Sequence, residues 1–139
     1  PVLDKLDLLI ANRAEAKVLT GIEINEIDQA KTAIDVLRSK GVCDVVITLG
    51  AKGVVSSSGD STAFWHPLPT KVCDVNGAGD AFYSGFLSRF TKPGATMDDG
   101  VAEGLAMASL TAETEGTTVW NLTQSAVDAR AEHAFKKLI

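Results

Sequence analysis

A chain of 139 residues, 45% of them hydrophobic and 22% charged, has the size and composition of one ordinary globular domain and is too small to expect two. No apolar run approaches bilayer-spanning length and no basic segment precedes an apolar stretch at the start, so the expectation is a soluble, cytoplasmic protein with no membrane partner. The formal net charge of -5 speaks against nucleic acid, which needs clustered Lys and Arg, but not against a nucleotide held by amides and a metal ion.

In chain order, the apolar run Asp7 to Ala11 predicts a buried strand, and Asn12 to Thr20 a helix stopped by Gly21. Ile27, Ala30, Ile34 and Leu37 recur at helical spacing, which predicts an amphipathic helix over Glu26 to Lys40, ended by Gly41. The β-branched run Val45 to Leu49 reads as a core strand of a parallel sheet, so strand, helix and strand follow in the order of an α/β unit. Val54 to Ser57 and Thr62 to His66 flank Ser58-Gly59-Asp60, which is hairpin chemistry. A helix from about Gly79 to Phe90 carries Phe82, Phe86 and Phe90 on one stripe and is broken by Pro93-Gly94. Thr96 with Asp99 forms a capping box for the next helix, whose inner face is Val101, Leu105, Ala108 and Ala112. A last helix is expected from Ser125 to Lys137, with Val127, Ala131, Ala134 and Leu138 inward. Glu113 to Thr118 reads as a solvent-exposed polar loop, and Trp65 and Trp120 as core or rim packing.

Cys43 and Cys73 lack a CxxC spacing and are expected as free thiols, while the isolated His66 and His133 do not suggest a metal site. The opening at Pro1, with no Met and directly before a strand-like segment, carries the expectation that something precedes it.

The most informative stretch is Asp74-Val75-Asn76-Gly77-Ala78-Gly79-Asp80, running straight into the apolar Ala81 to Leu87. Glycine turns feeding a helix leave backbone N–H groups without intrahelical partners at the positive end of the helix dipole, and that is an anion site. Asp80 falls in the first turn, within reach of whatever the amides hold, and Asp74 precedes the turn. Amides for phosphate and a carboxylate for a proton suggest phosphoryl transfer. The structural alternative is a plain helix start with Asp80 set against the dipole. Against it stand two glycines, each costly in unfolded-chain entropy unless the backbone must approach something closely. Gly85, which costs about 1 kcal/mol against Ala inside a helix, suggests tight packing of the helix below.

Asn12 and Glu15 have the spacing of a capping box, and the same polar pair at the carboxyl end of a strand could order the water shell of Mg²⁺. Thr48-Leu49-Gly50-Ala51-Lys52-Gly53 is either a strand end and turn or a set of phosphate contacts where α/β sheets bind ligands. No segment matches the GxxxxGK[ST] P-loop.

Taken together, Asp74 to Asp80, Asn12-Arg13-Ala14-Glu15 and Ile47 to Gly53 resemble three motifs of the ribokinase-like (PfkB) carbohydrate kinases, in that family's order and over nearly the whole chain. The resemblance implies a three-layer α/β/α fold with a mostly parallel sheet, of which this chain is the carboxyl-terminal, nucleotide-binding and catalytic part. The substrate and lid part that precedes it in family members is absent. It further implies ATP-dependent phosphorylation of a sugar or nucleoside hydroxyl, with Asp80 as base and the amides of Gly77, Ala78 and Gly79 as anion hole. Asn12 and Glu15 would organise Mg²⁺, and Thr48, Gly50 and Gly53 would contact ATP phosphates. Asp74 would lie near the substrate or a loop for a monovalent cation such as K⁺, whose second half falls around Thr114 to Thr118. Asn76 stands where the family commonly has Thr, which puts the cation site in question. The tail Ala108 to Thr117 is most similar to pseudouridine kinases, with ribokinase, fructokinase and nucleoside kinases as the other candidates. The implied partners are the substrate, the missing half of the same protein and, as a candidate assembly, a second copy in a homodimer. The competing readings are a noncatalytic α/β nucleotide-binding or oligomerisation module and a Rossmann domain, which Phe82 disfavours by holding the third glycine position.

Overall fold

The computed structural model describes residues 2–115 and 122–139. The chain divides into two compact units, Pro1–His66 with Lys136–Ile139, and Pro67–Phe135.

The first unit is a five-stranded sheet in chain order, β1 (Leu8–Asn12), β2 (Asp44–Thr48), β3 (Val54–Ser58), β4 (Ser61–Trp65) and β5 (Lys136–Leu138). Between β1 and β2 run two helices, α1 (Arg13–Thr20) and α2 (Ile27–Ser39). Asn12 and Glu15 cap the start of α1 reciprocally, and Gly21 ends it in the left-handed conformation at φ 78°. Ala30, Ala33, Ile34 and Leu37 form the buried stripe of α2, packed with Val45, Ile47 and Val55 of the strands into one core. The core face thus follows from the 3.6-residue period of α2 and the unbroken apolar run of β2.

The ribokinase-like α/β expectation holds, but the sheet is parallel only between β1 and β2, where helices make the crossover. The pairs β2–β3, β3–β4 and β4–β5 are antiparallel. Short connections force this for the first two pairs: a 3₁₀ turn at Gly50–Lys52 and the two-residue turn Gly59-Asp60 are too short to return a strand to the same direction. Trp65, one of the two tryptophans read as packing residues, is buried against β3 with its Nε1–H donating to Ser56 Oγ at 2.9 Å.

The second unit is helical. α3 (Ala78–Phe90) lies along α4 (Met97–Ala112), and α5 (Gln124–Ala131) packs on α4. Glycines let the first two helices close up. A β-carbon at Gly100 would meet the Phe86 ring at 2.8 Å, one at Gly104 the Phe82 ring at 2.8 Å, and one at Gly85 the Met107 Cγ at 2.6 Å. Phe82 and Phe86 are buried in these notches, with their rings stacked at 6.2 Å between centroids. Each such ring contributes roughly 1.5–3 kcal/mol by leaving water. The Thr96–Asp99 capping box forms as expected, and α4 is buried on more sides than its expected inner face: Glu103, Ala106 and Ser109 are covered, while Ala108 is half-buried.

The last helix is shorter than expected. It stops at Ala131, with Val127 inward, and Lys136–Leu138 forms an edge strand in which Leu138 is 64% exposed rather than buried. Side-chain spacing cannot register a backbone ladder offered by the open edge of β4, and that ladder prevails here. Cys43 and Cys73 are both free and exposed. No helix among the described residues is long and apolar enough to cross a membrane. The expectations for Gly116, Thr117, Thr118 and Trp120 fall outside the described residues.

Candidate active site

In the second unit, the segment leading into α3 is built from local hydrogen bonds. Asp74 Oδ1 accepts from the Asn76 N–H at 2.9 Å, forming a side-chain turn two residues long. Gly77 then takes φ 77° and ψ -3° as the N-cap of α3, a left-handed conformation that a residue with a β-carbon adopts only under strain. A glycine offers no side-chain acceptor, so α3 begins without the side-chain cap that Asn12, Thr96 and Thr123 give to α1, α4 and α5.

The N–H groups of Gly77, Gly79 and Asp80 have no acceptor among the described residues, whereas that of Ala78 donates to the Val75 carbonyl at 3.4 Å. Gly79 is ordinary helix, and a β-carbon there would meet no described residue within 4 Å. Packing among the described residues therefore gives no reason for glycine at this position. Asp80 is exposed in the first turn, and its carboxylate has no hydrogen bond or ion pair to any described residue. A free carboxylate beside free amides is what proton abstraction next to an anion requires.

The same segment is tied to the end of α4. The Cys73 and Asp74 N–H groups both donate to the Ala112 carbonyl, at 2.7 and 3.1 Å. Next along is Glu113, the C-cap residue, which was expected to be solvent-exposed and is instead half-buried in a two-pronged pair with Arg130 of α5 at 3.0 and 2.9 Å. The guanidinium holds the Glu113 carboxyl below its ordinary range, aided by the Lys71 backbone N–H, and Glu113 in turn raises Arg130. Sequence reading missed Arg130, because no local pattern joins residues seventeen positions apart.

In the first unit, the expected residues gather at the carboxyl ends of the parallel pair. Asn12 and Thr48 are register partners across β1 and β2. Asn12 Oδ1 accepts from the Glu15 N–H at 2.9 Å and Glu15 Oε2 from the Asn12 N–H at 2.9 Å, so the capping reading of this pair is realised. Gly50 (φ 64°) and Gly53 (φ 109°) bound the turn after β2, and a β-carbon on Gly50 would meet no described residue within 4 Å. Lys52 braces that turn by donating to the Asn25 carbonyl at 2.7 Å and to Glu26 Oε1 at 3.1 Å. Among the described residues, no group of three or more His, Cys, Asp and Glu side chains is placed to hold a metal ion.

A family model described as pfkB family carbohydrate kinase matches residues 2–124. The chain belongs to the pfkB carbohydrate kinases. This pfkB-family chain is 30% identical over 131 residues to a ribokinase from Haemophilus influenzae, a match covering 94% of the chain and 40% of that relative. Among solved structures, it is similar to an Arabidopsis thaliana ribokinase complexed with ribose and ATP, with a TM-score of 0.82 and 26% identity over 94% of this chain and 42% of that one. It also resembles a Vibrio cholerae fructokinase in fructose-, ADP- and calcium-bound form, with a TM-score of 0.74 and 27% identity over 94% of this chain and 42% of that one. The chain thus spans about 40% of the length of the curated relative it matches.

Proposed function

We propose that this chain is the carboxyl-terminal, nucleotide-binding and catalytic part of a kinase that transfers the γ-phosphoryl group of ATP to a hydroxyl of a sugar or nucleoside. A preceding part would supply the lid and most contacts to the acceptor. The relatives it matches are kinases, and it spans less than half of each of them. The observation that carries the reading is the Asp80 carboxylate, exposed and without a partner among the described residues, directly after an uncapped glycine turn.

In this reading Asp80 accepts the proton of the attacking hydroxyl, and the amides of Gly77 and Gly79, with Ala78 between them, stabilise charge on the transferred group. The space over Gly79, clear of every described residue, fits a phosphate approaching the backbone. Thr48, Gly50 and Gly53 contribute a hydroxyl and unhindered backbone to the nucleotide phosphates. Asn12 and Glu15 are oxygen-bearing side chains suited to ordering the water shell of Mg²⁺, which prefers oxygen ligands and keeps several waters. When bound, the metal ion neutralises phosphate charge. Asp74, at the entrance of the turn, is assigned to the acceptor or a monovalent cation.

Asp80→Asn in the complete kinase tests this reading. Turnover with ATP and a panel of ribose, fructose and nucleosides should fall by roughly 10²–10⁴-fold, while nucleotide affinity stays near that of the wild type. Unchanged turnover would assign the base elsewhere.

A further inference from the structure

We infer that Arg130 is a positioning residue for this site, acting through Glu113 to hold the Cys73–Asp74 segment that leads into the Gly77–Asp80 turn. The inference rests on the proposed function for its kinetic consequence and on the geometry alone for its mechanical one.

The last carbonyls of a helix lack intrahelical donors, and in α4 one of these, Ala112, takes both the Cys73 and the Asp74 N–H, at 2.7 and 3.1 Å. The segment entering the site is thereby the cap of α4. Glu113 adjoins that carbonyl, so Cys73 and Asp74 are fastened to the helix end directly beside it. What fixes Glu113 is Arg130, through parallel bonds at 3.0 and 2.9 Å, and Arg130 is itself steadied by Ser109 Oγ at 3.1 Å. A planar fork on a carboxylate specifies direction as well as distance.

The pair grips the residue directly after Ala112, whose carbonyl carries the Cys73 and Asp74 N–H groups, so a displacement of Glu113 is passed straight to that carbonyl. Its side chains are 24% and 30% exposed, so the pair is partly shielded from solvent and its two-pronged geometry keeps the helix end in one orientation. Phosphoryl transfer depends steeply on placement, and displacing a reacting group by about 1 Å can cost about 100-fold in rate.

The test compares Arg130→Gln, Glu113→Gln and Arg130→Lys in the complete kinase. The two Gln variants should lose about 10–100-fold in kcat, with KM for ATP and acceptor within about threefold of the wild type. Arg130→Lys should recover part of the loss, and the double Gln variant should be no worse than either single one, as for groups acting as a unit. Amide hydrogen exchange at Cys73 and Asp74 should quicken in the Gln variants while the interior of α4 keeps its protection. Should one variant fail to fold, the other two carry the same comparison. Folded variants with wild-type exchange at Cys73 and Asp74, or with wild-type kcat, would overturn the inference. Because exchange needs no turnover, a failure of the Asp80 assignment would leave that readout intact.

Discussion

Gly85 of α3 faces Met107 of α4 so closely that a β-carbon on Gly85 would stand 2.6 Å from the Met107 Cγ and 2.8 Å from the Glu103 carbonyl oxygen. Met107 is flexible, but the carbonyl belongs to the backbone of α4 and cannot yield. Gly85→Ala should therefore destabilise the protein by about 1–3 kcal/mol despite the better helix propensity of Ala. Denaturant midpoints of variant and wild type measure it, and an unchanged or higher midpoint would mean that the helices are not closed on one another here.

Gly79 gives the opposite case on the same helix. A β-carbon meets no described residue within 4 Å and the backbone is helical, so Gly79→Ala should hold or raise stability, by up to about 1 kcal/mol. Activity should nonetheless fall at least tenfold if a phosphoryl group must approach this backbone. Thermal melting beside steady-state kinetics separates the two, and a variant that is both stable and fully active would remove Gly79 from the anion hole.

Asn12→Ala removes a cap from α1, at a cost of about 1 kcal/mol. If the Asn12–Glu15 pair also organises the metal's water shell, the variant should need several-fold more Mg²⁺ for half-maximal rate. Titrating Mg²⁺ at saturating ATP tells the roles apart: loss of stability with an unshifted titration would leave the pair a cap alone.

Two carboxylates are held below their ordinary range by local partners and so contribute to the acid side of the stability curve. The Thr96 backbone N–H lowers Asp99, with further help from Arg89, and Arg130 lowers Glu113. Groups depressed in the folded state stabilise it fully above their unfolded values and lose that contribution as pH falls through the folded ones. Melting temperature should therefore be insensitive to these groups from pH 7 to about 5 and decline below about pH 4.5. Glu113→Gln should flatten part of that decline, and an identical acid limb in the variant would assign the sensitivity elsewhere.

Much of the fold was legible in the sequence because its signals were local. Asn12 with Glu15 and Thr96 with Asp99 announce helix starts within four residues, and Gly21 announces a stop. The hairpin was readable from Ser58-Gly59-Asp60 for the same reason. The parallel character of the sheet was overestimated, since a β-branched run such as Val45 to Leu49 shows that both faces are buried and not which way the neighbours run. Val127, Ala131, Ala134 and Leu138 mimic a helical stripe, but β4 offers a free edge to the chain's tail. At the candidate site, the glycine turn and Asp80 are contiguous and could be read directly. The Arg130–Glu113 clamp joins two helices and leaves no periodic trace.

The three-residue strand β5 has a wider effect than its length suggests. Trp65 is in register with Lys136, so the polypeptide leaves the sheet at one corner and returns to the adjoining position, with the whole helical unit strung between. β5 works as a clasp: while it stays paired, the long excursion has both tethers fastened and its closure entropy is already settled. Severing the chain at Phe135 would turn that closed excursion into a dangling arm, although no residue of the glycine turn had been touched.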